Sequence, residues 1–268
     1  MPPNKIYKYE PMSAQALTNL KSQVVYFSSP LNFNDPFDCA TELKYRDPHE
    51  DELPFMLDFI RKESANNPGV PNIDDMPKES VMRVASTLIK LLLKDSKKEL
   101  FKSKGVCCFS ENNDNLLMWS HYASSAKGFC LEFDTSCDPF KGVWKVDYPE
   151  KPPKLDYNKI ATQGRKYLIN SLLCTKSTAW SYEEEWRAIH KETNKVFHYK
   201  SPALTGVYFG SETTNEFMEI IRLILQGQNP NAKFYKATRS TDSYKLIFKE
   251  VEYIPHGWVE TNSKQKSG

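Results

Sequence analysis

Apolar residues recur along this chain at two spacings, and the order in which the two spacings follow one another constrains the fold most. Alternating or continuous β-branched and aromatic runs predict strands at Ile6–Tyr9, Val24–Ser28, Val106–Phe109, Gly128–Phe133, Val143–Tyr148, Glu185–His190, Leu204–Phe209, Lys233–Thr238 and Tyr244–Val251. Helical spacing predicts helices at Ser13–Gln23 (with Ser13 as cap), Asn113–Ala126, Tyr157–Thr175 and Glu216–Leu225. Elements in this order show no regular β-α-β alternation. The expected class is therefore α+β, a mixed and largely antiparallel sheet core, rather than a doubly wound sheet. Residues 50–104 differ in character. Leu53, Leu57 and Ile60, then Val81, Val84, Leu88, Leu91 and Leu92, form helical stripes on either side of a linker, Asn66–Asn72. We read 1–260 as a single domain with a helical insertion at 50–104, followed by a frayed polar tail, 261–268.

The 268 residues carry 36 Lys and Arg against 34 Asp and Glu, and this balance of +2 argues against a duplex-DNA stripe or an anionic membrane surface as partner. The aromatic share of 13% excludes disorder over most of the length. No apolar run approaches the roughly 20 residues that span a bilayer. Met1–Tyr9 has no signal-peptide stretch, so a cytoplasmic location is expected. The six cysteines, at this chain length and in that compartment, read as reduced thiols.

Three stretches hold polar and aromatic groups that core packing explains poorly. Phe27–Asp38 supplies Ser28, Ser29, Asn34 and Asp35 after a strand, either as a ligand-binding loop or as an Asx-turn that satisfies its own backbone. Cys107–Glu132 holds Ser110 and Glu111 in a polar turn, then Asn115, Trp119, His121 and Tyr122. Asn115, Trp119 and Tyr122 share one helical face, which suits a planar ring, or else they belong to the core. In Lys176–Arg187, an extended backbone would put Glu183, Glu185 and Arg187 on one face and Tyr182 on the other. A helix start capped by Ser181 with Glu184 is the alternative, slightly preferred from spacing alone.

No metal is expected, because Cys107, Cys108, His121 and Cys130 match no common zinc spacing. A Cys108–His121 nucleophile pair would need the fold to join them. P-loop, dinucleotide-fold, hydrolase-elbow and zincin motifs are absent from the sequence.

Taken together, Tyr7–Tyr9, Phe27–Asp38, Cys108–Asp134, Trp180–Arg187 and Tyr208–Gly210 resemble a widespread, functionally uncharacterised bacterial domain family, over about residues 5–250. The resemblance implies an accessory or effector protein of the kind found in conflict systems such as phage defence. The motif order is also similar to the layout of ADP-ribosyltransferase folds. That likeness implies Tyr7 or Lys8 as a first-strand element, Ser28 as a second and Glu183 or Glu185 as the late acid. Arg and His are both missing from the first strand, which departs from that layout.

On this likeness NAD is the expected substrate. Glu185 is the first candidate for catalysis, then Glu183, with His121 as a further acid–base group. Trp119 or Tyr122 would hold the ring, Ser28 and Asn34 the ribose or amide, and Arg187 or Lys8 a phosphate. The expected function is an ADP-ribosyltransferase-like or NAD-cleaving enzyme with a small nucleotide or a protein as partner. The alternatives are a non-catalytic nucleotide- or partner-binding module and a nuclease-type toxin.

Overall fold

The structure is a computed structural model that describes residues 2–39, 44–45, 49–66, 73 and 76–252. Of the linker read at Asn66–Asn72, Asn66 ends a helix and 67–72 lie outside the described residues, as does the tail at 261–268. In chain order the elements are β1 (Lys5–Glu10), α1 (Ala14–Lys21), β2 (Val24–Phe27), β3 (Lys44–Tyr45), α2 (Leu53–Asn66), α3 (Lys78–Ser103), β4 (Gly105–Ser110) and α4 (Leu116–Tyr122). There follow β5 (Phe129–Asp134), β6 (Trp144–Lys145), β7 (Lys154–Leu155), α5 (Tyr157–Leu173), β8 (Glu185–His190), β9 (Lys195–His198), β10 (Leu204–Phe209), α6 (Asn215–Gln226), β11 (Lys233–Arg239) and β12 (Leu246–Glu250). Among the described residues, no helix is long and apolar enough to cross a membrane.

The fold is α+β. Eight strands form one sheet in the order β12-β11-β10-β5-β1-β4-β8-β6. Only β10 and β11 run parallel; the other neighbours are antiparallel. Because strand side chains alternate, the sheet has two unlike faces. One carries Ile6, Phe109, Phe129, Leu131, Phe133, Trp186 and Phe209. It is covered by Leu20 of α1, Phe27 of β2 and the amphipathic α6 through Phe217, Ile221 and Leu225. The opposite face carries Tyr9, Cys130 and Tyr208 under Met118 and Trp119 of α4. The same face continues into Ser110 of β4 and Glu185 and Arg187 of β8, which the register places opposite Ser110 and Cys108.

The sheet opens at its centre. β1 and β4 share the register pair Tyr7–Ser110. Further along β4, Val106 pairs with Ser28, which follows β2. The backbone of β4 thus changes partner midway, and the two strands part beyond Tyr7. This gap is where the loop after β2 reaches the charged end of β8.

α2 and α3 pack through Met56, Ile60, Val81 and Ala85 against Leu155 of β7 and Ile160, Tyr167 and Leu168 of α5. This cluster is separate from the cores on the two faces of the sheet. It contains Leu53, Leu57, Ile60, Val81, Val84 and Leu88 of the stripes read in 50–104, whereas Leu91 points outward, 56% exposed, and the Leu92 side chain lies outside what the structure describes.

Local chemistry explains where the elements deviate from the sequence reading. The helix expected from Asn113 starts at Leu116, because Asn115 is its N-cap and accepts from the backbone N–H of Leu117 and Met118. It stops at Tyr122, since Ser124, Ser125 and Ala126 all take left-handed φ values of 50°, 55° and 63°. The helix start assigned to Ser181 is overturned. Ser177 instead caps a 3-10 helix, Thr178–Glu183, and the chain becomes extended at Glu185 after a left-handed Glu184. Strand β9, which pairs with β2, has no period-two apolar signal strong enough to reveal it.

Candidate functional site

The loop after β2, the β4–α4 stretch and the end of the 3-10 helix with β8 converge on one cavity of about 220 Å³. Tyr7, Tyr9, Phe33, Met118 and Tyr122 give it an aromatic and apolar wall; Asn34, Asp38, Ser110, Lys176, Glu183 and Glu185 give it polar groups. It occupies the region where β1 and β4 separate. The cavity therefore depends on the change of partner along β4, and contacts within any one segment do not build it.

Arg187 anchors the charged side. It is fully buried, and its guanidinium donates to both carboxylate oxygens of Asp38, at 2.9 and 2.6 Å, and to both of Glu185, at 2.8 and 3.0 Å. A further bond of 2.6 Å goes to the carbonyl of Leu173, and Phe33 lies over the guanidinium at 5.2 Å. Such fork-shaped pairing fixes both carboxylates in position. Beside it stands Lys176, whose Nζ lies 2.5 Å from Glu183, 3.6 Å from Glu185 and 3.7 Å from Asp38. Tyr122 donates its hydroxyl to the other oxygen of Glu183 at 2.6 Å. Ser110 fixes the backbone there by donating to the Glu183 carbonyl at 2.8 Å.

Three carboxylates and two cations leave the cluster with one excess negative charge. Although both glutamates are buried, their environments push them apart. For Glu185, desolvation raises the pKa, but the Arg187 and Lys176 charges outweigh it and hold the carboxyl below its ordinary value. For Glu183, desolvation prevails over Lys176 and Tyr122, and the pKa is raised. Lys176 is itself held above its usual value, because Glu185 and Glu183 overcome the cost of burial.

Glu132 of β5, 3% exposed, organises the adjoining wall. It accepts from Lys5 at 2.5 Å, Thr205 at 2.6 Å, Tyr208 at 2.7 Å and Tyr7 at 3.2 Å. Tyr7 is thereby tethered at its hydroxyl while its ring lines the cavity.

Of the residues expected from sequence to form the site, Tyr7, Lys8, Asn34, Ser110, Tyr122, Glu183 and Glu185 line the cavity, and Arg187 lies directly behind it. Others are elsewhere. Trp119 is 1% exposed in the core, its indole N–H bonded to the Asn113 carbonyl at 2.7 Å, so it is no wall for a ligand beside Glu185. Asn115 is occupied as a helix cap and donates to the Tyr182 carbonyl at 2.8 Å. His121 is exposed at the end of α4, with its ring centre 6.3 Å from those of Tyr122 and Tyr182, and stands outside the cavity. It makes no pair with Cys108, whose thiol burial pushes up, opposite to what nucleophile activation requires.

Tyr182 packs on Trp180 outside the cavity. Glu111 accepts from the Trp186 indole at 3.0 Å and from Lys145 at 3.4 Å. Ser29 is buried and donates to the Phe101 carbonyl, while Asp35 caps its own turn at the Phe37 N–H. Lys8 falls on the opposite face of β1 from Tyr7. Its ammonium lies 3.4 Å from Glu10, and the residue lines both the first cavity and a second one that contains Ser28. Of the three transferase-like points, the first-strand residues Tyr7 and Lys8 share the first cavity with Glu183 and Glu185, whereas Ser28 lines the second.

Sequence reasoning missed Asp38, Lys176 and Glu132. Asp38 and Lys176 sit at the ends of the stretches already singled out. A lone acid in the apolar strand GFCLEF was the available signal for Glu132. The six cysteines are free thiols.

No curated protein and no solved structure matches the chain. Residues 118–188, which run from α4 through Ala188 of β8 and include Tyr122, Lys176, Glu183, Glu185 and Arg187, match a family model described as Protein of unknown function (DUF2971).

Proposed function

We propose that the cavity is the active site of an enzyme that cleaves the nicotinamide–ribose bond of NAD, passing the ADP-ribosyl group to water or to an acceptor, as an effector in a bacterial conflict system. The single observation that carries this reading is the pair of buried carboxylates on one cavity with different partners, Glu183 held by Tyr122 and Lys176 and Glu185 by the fork of Arg187. Divergent environments of this kind are how one site assigns separate roles to two acids. The aromatic wall of Tyr7, Tyr9, Phe33 and Tyr122 also suits a planar cationic ring.

The roles follow from the partners. Glu185 stays ionised and immobile on Arg187, so it serves as fixed negative charge and as the frame for Lys176. Glu183, with Tyr122 on one oxygen and Lys176 on the other, is the acid facing the cavity that can change protonation state. As the glycosidic bond breaks, nicotinamide leaves with the bonding electron pair and positive charge develops on the ribose. The Glu183 carboxylate stabilises that charge in a low-dielectric setting. Water then adds to the ribosyl carbon and its proton passes to Glu183, which balances NAD and water against ADP-ribose, nicotinamide and a proton. Glu183 thus takes precedence over Glu185 as the reacting acid.

The test is release of nicotinamide from NAD by the purified chain, followed by chromatography. The wild type should release it, and Glu183→Gln should lose about 10²–10³-fold in kcat in protein that circular dichroism shows to be folded at the assay temperature, the scale of removing one electrostatic group from such a site. Absence of nicotinamide release by the wild type, with or without protein acceptors, would overturn the proposal.

A further inference from the structure

The backbone that carries Glu185 and the backbone that carries Lys176 are tied to one three-residue segment, Val146–Tyr148. Strand β6 starts as a neighbour of β8, with Trp144 opposite Arg187 and Lys145 opposite Trp186. The chain then leaves β8, and Asp147 bridges to Thr175 in the stretch after α5. Four hydrogen bonds hold the segment between the two. On one side the Val146 N–H donates to the Glu185 carbonyl at 2.9 Å, and the Glu185 N–H donates to the Tyr148 hydroxyl at 2.8 Å. On the other the Asp147 N–H donates to the Cys174 carbonyl at 2.9 Å, and the Lys176 N–H donates to the Asp147 carbonyl at 3.0 Å. Three of these are backbone bonds that any residue makes. The fourth depends on a side chain. A continuing antiparallel ladder would give the Glu185 N–H a carbonyl on the strand opposite. The segment has turned toward Thr175, and a phenol oxygen takes that place. Glu185 is buried, so its N–H needs an acceptor from the protein.

We propose that Tyr148 is a positioning residue of the candidate active site. Its hydroxyl fixes the Glu185 backbone where the Glu185 carboxylate stands 3.6 Å from the Lys176 ammonium, which divides that ammonium between Glu185 and Glu183. Tyr148 is not among the residues that line the cavity, so it acts through Glu185. Its effect on turnover rests on the cleavage reading; its effect on the two glutamates does not. With Phe at this position the Glu185 N–H loses its acceptor, and the chain shifts to find another. Glu183 then keeps the ammonium 2.5 Å away and feels less of the neighbouring negative charge. Both changes favour the ionised form of Glu183.

Carbon-13 NMR titration of the glutamate carboxyls in the full chain tests this, with Glu183 assigned by the signal missing from Glu183→Gln. In Tyr148→Phe the Glu183 midpoint should move down by about half a pH unit or more, toward the ordinary carboxylate value. In nicotinamide release from NAD, the same variant should lose about 10- to 100-fold in kcat with KM nearly unchanged. Tyr26→Phe, which removes a hydroxyl bonded to Asn194, should change neither. An unmoved Glu183 midpoint in Tyr148→Phe, an equal shift in Tyr26→Phe, or an unchanged kcat would overturn the proposal. So would a Tyr148→Phe chain that circular dichroism shows to be unfolded, since the hydroxyl would then hold the fold rather than the site. If the midpoint moves as expected while the wild type releases no nicotinamide, the positioning role stands and the cleavage reading falls.

Discussion

Replacing Arg187 by Met removes the cation that holds Asp38 and Glu185 while keeping most of the side-chain volume. Arg187 has no exposed surface and makes four carboxylate bonds of 2.6–3.0 Å plus one to a carbonyl. Its loss leaves two buried carboxylates with Lys176 as the nearest cation, which already has Glu183 at 2.5 Å. Removing one partner from a buried ion pair costs about 3–5 kcal/mol, because the orphaned charge stays desolvated. At a few degrees per kcal/mol for a chain of this size, the melting temperature should fall by on the order of 10 °C. Calorimetry at pH 7 reads this directly. The triple variant Asp38→Asn/Glu185→Gln/Arg187→Met removes both orphaned charges and should recover at least half of the loss, since neutral replacements of whole buried networks are tolerated. A loss under about 1 kcal/mol for Arg187→Met, or no recovery in the triple variant, would refute the account of Arg187 as the anchor of the site.

The two glutamates predict opposite pH dependences. Glu185 has a depressed folded pKa, so its contribution to stability is present above the ordinary carboxylate pKa and is lost as pH falls through the folded value. Glu183 has a raised folded pKa, so the folded state binds the extra proton and stability declines as pH rises from the ordinary value through the raised one. Melting curves across this acidic range should therefore show a decline with rising pH in the wild type that is absent in Glu183→Gln; parallel curves would contradict the assignment. Trp119→Ala should cost about 3–5 kcal/mol, as large core truncations do, and binding at saturating ligand should persist in whatever fraction stays folded. A stable variant with abolished binding would return Trp119 to the ligand site. Gly210→Ala should destabilise, because a Cβ there would collide with the backbone carbonyl of Ala126 in the left-handed turn; denaturant unfolding with an unshifted midpoint would show that the turn can yield.

Patterns of local origin were legible in the sequence. The period-two runs gave β1, β4, β5, β8, β10 and β11 nearly to the residue, because side-chain alternation is a property of the strand itself. Ser13 announced α1 for the same kind of reason, since a cap acts on the turn beside it. The alternation in EWR also placed Glu185 and Arg187 together, two positions apart on a common face. Where two local readings competed, as in the capping box at Ser181, spacing could not arbitrate. A single left-handed residue, Glu184, ended one element and began the next.

What folding alone decided is which charges meet. Asp38 and Arg187 are 149 residues apart, Tyr122 and Glu183 are 61, and no pattern along the chain encodes either pairing. Their encounter follows from β4 exchanging β1 for Ser28 partway along its length, which opens the sheet and admits the loop after β2. Tertiary placement also put Ser28 in a cavity apart from the glutamates and Trp119 in the core. Amino-acid order therefore determined the elements and the types of group available, because propensity and alternation act over a few residues. Burial and the pairing of charge set the pKa of each acid, and both exist only once distant strands have taken their places.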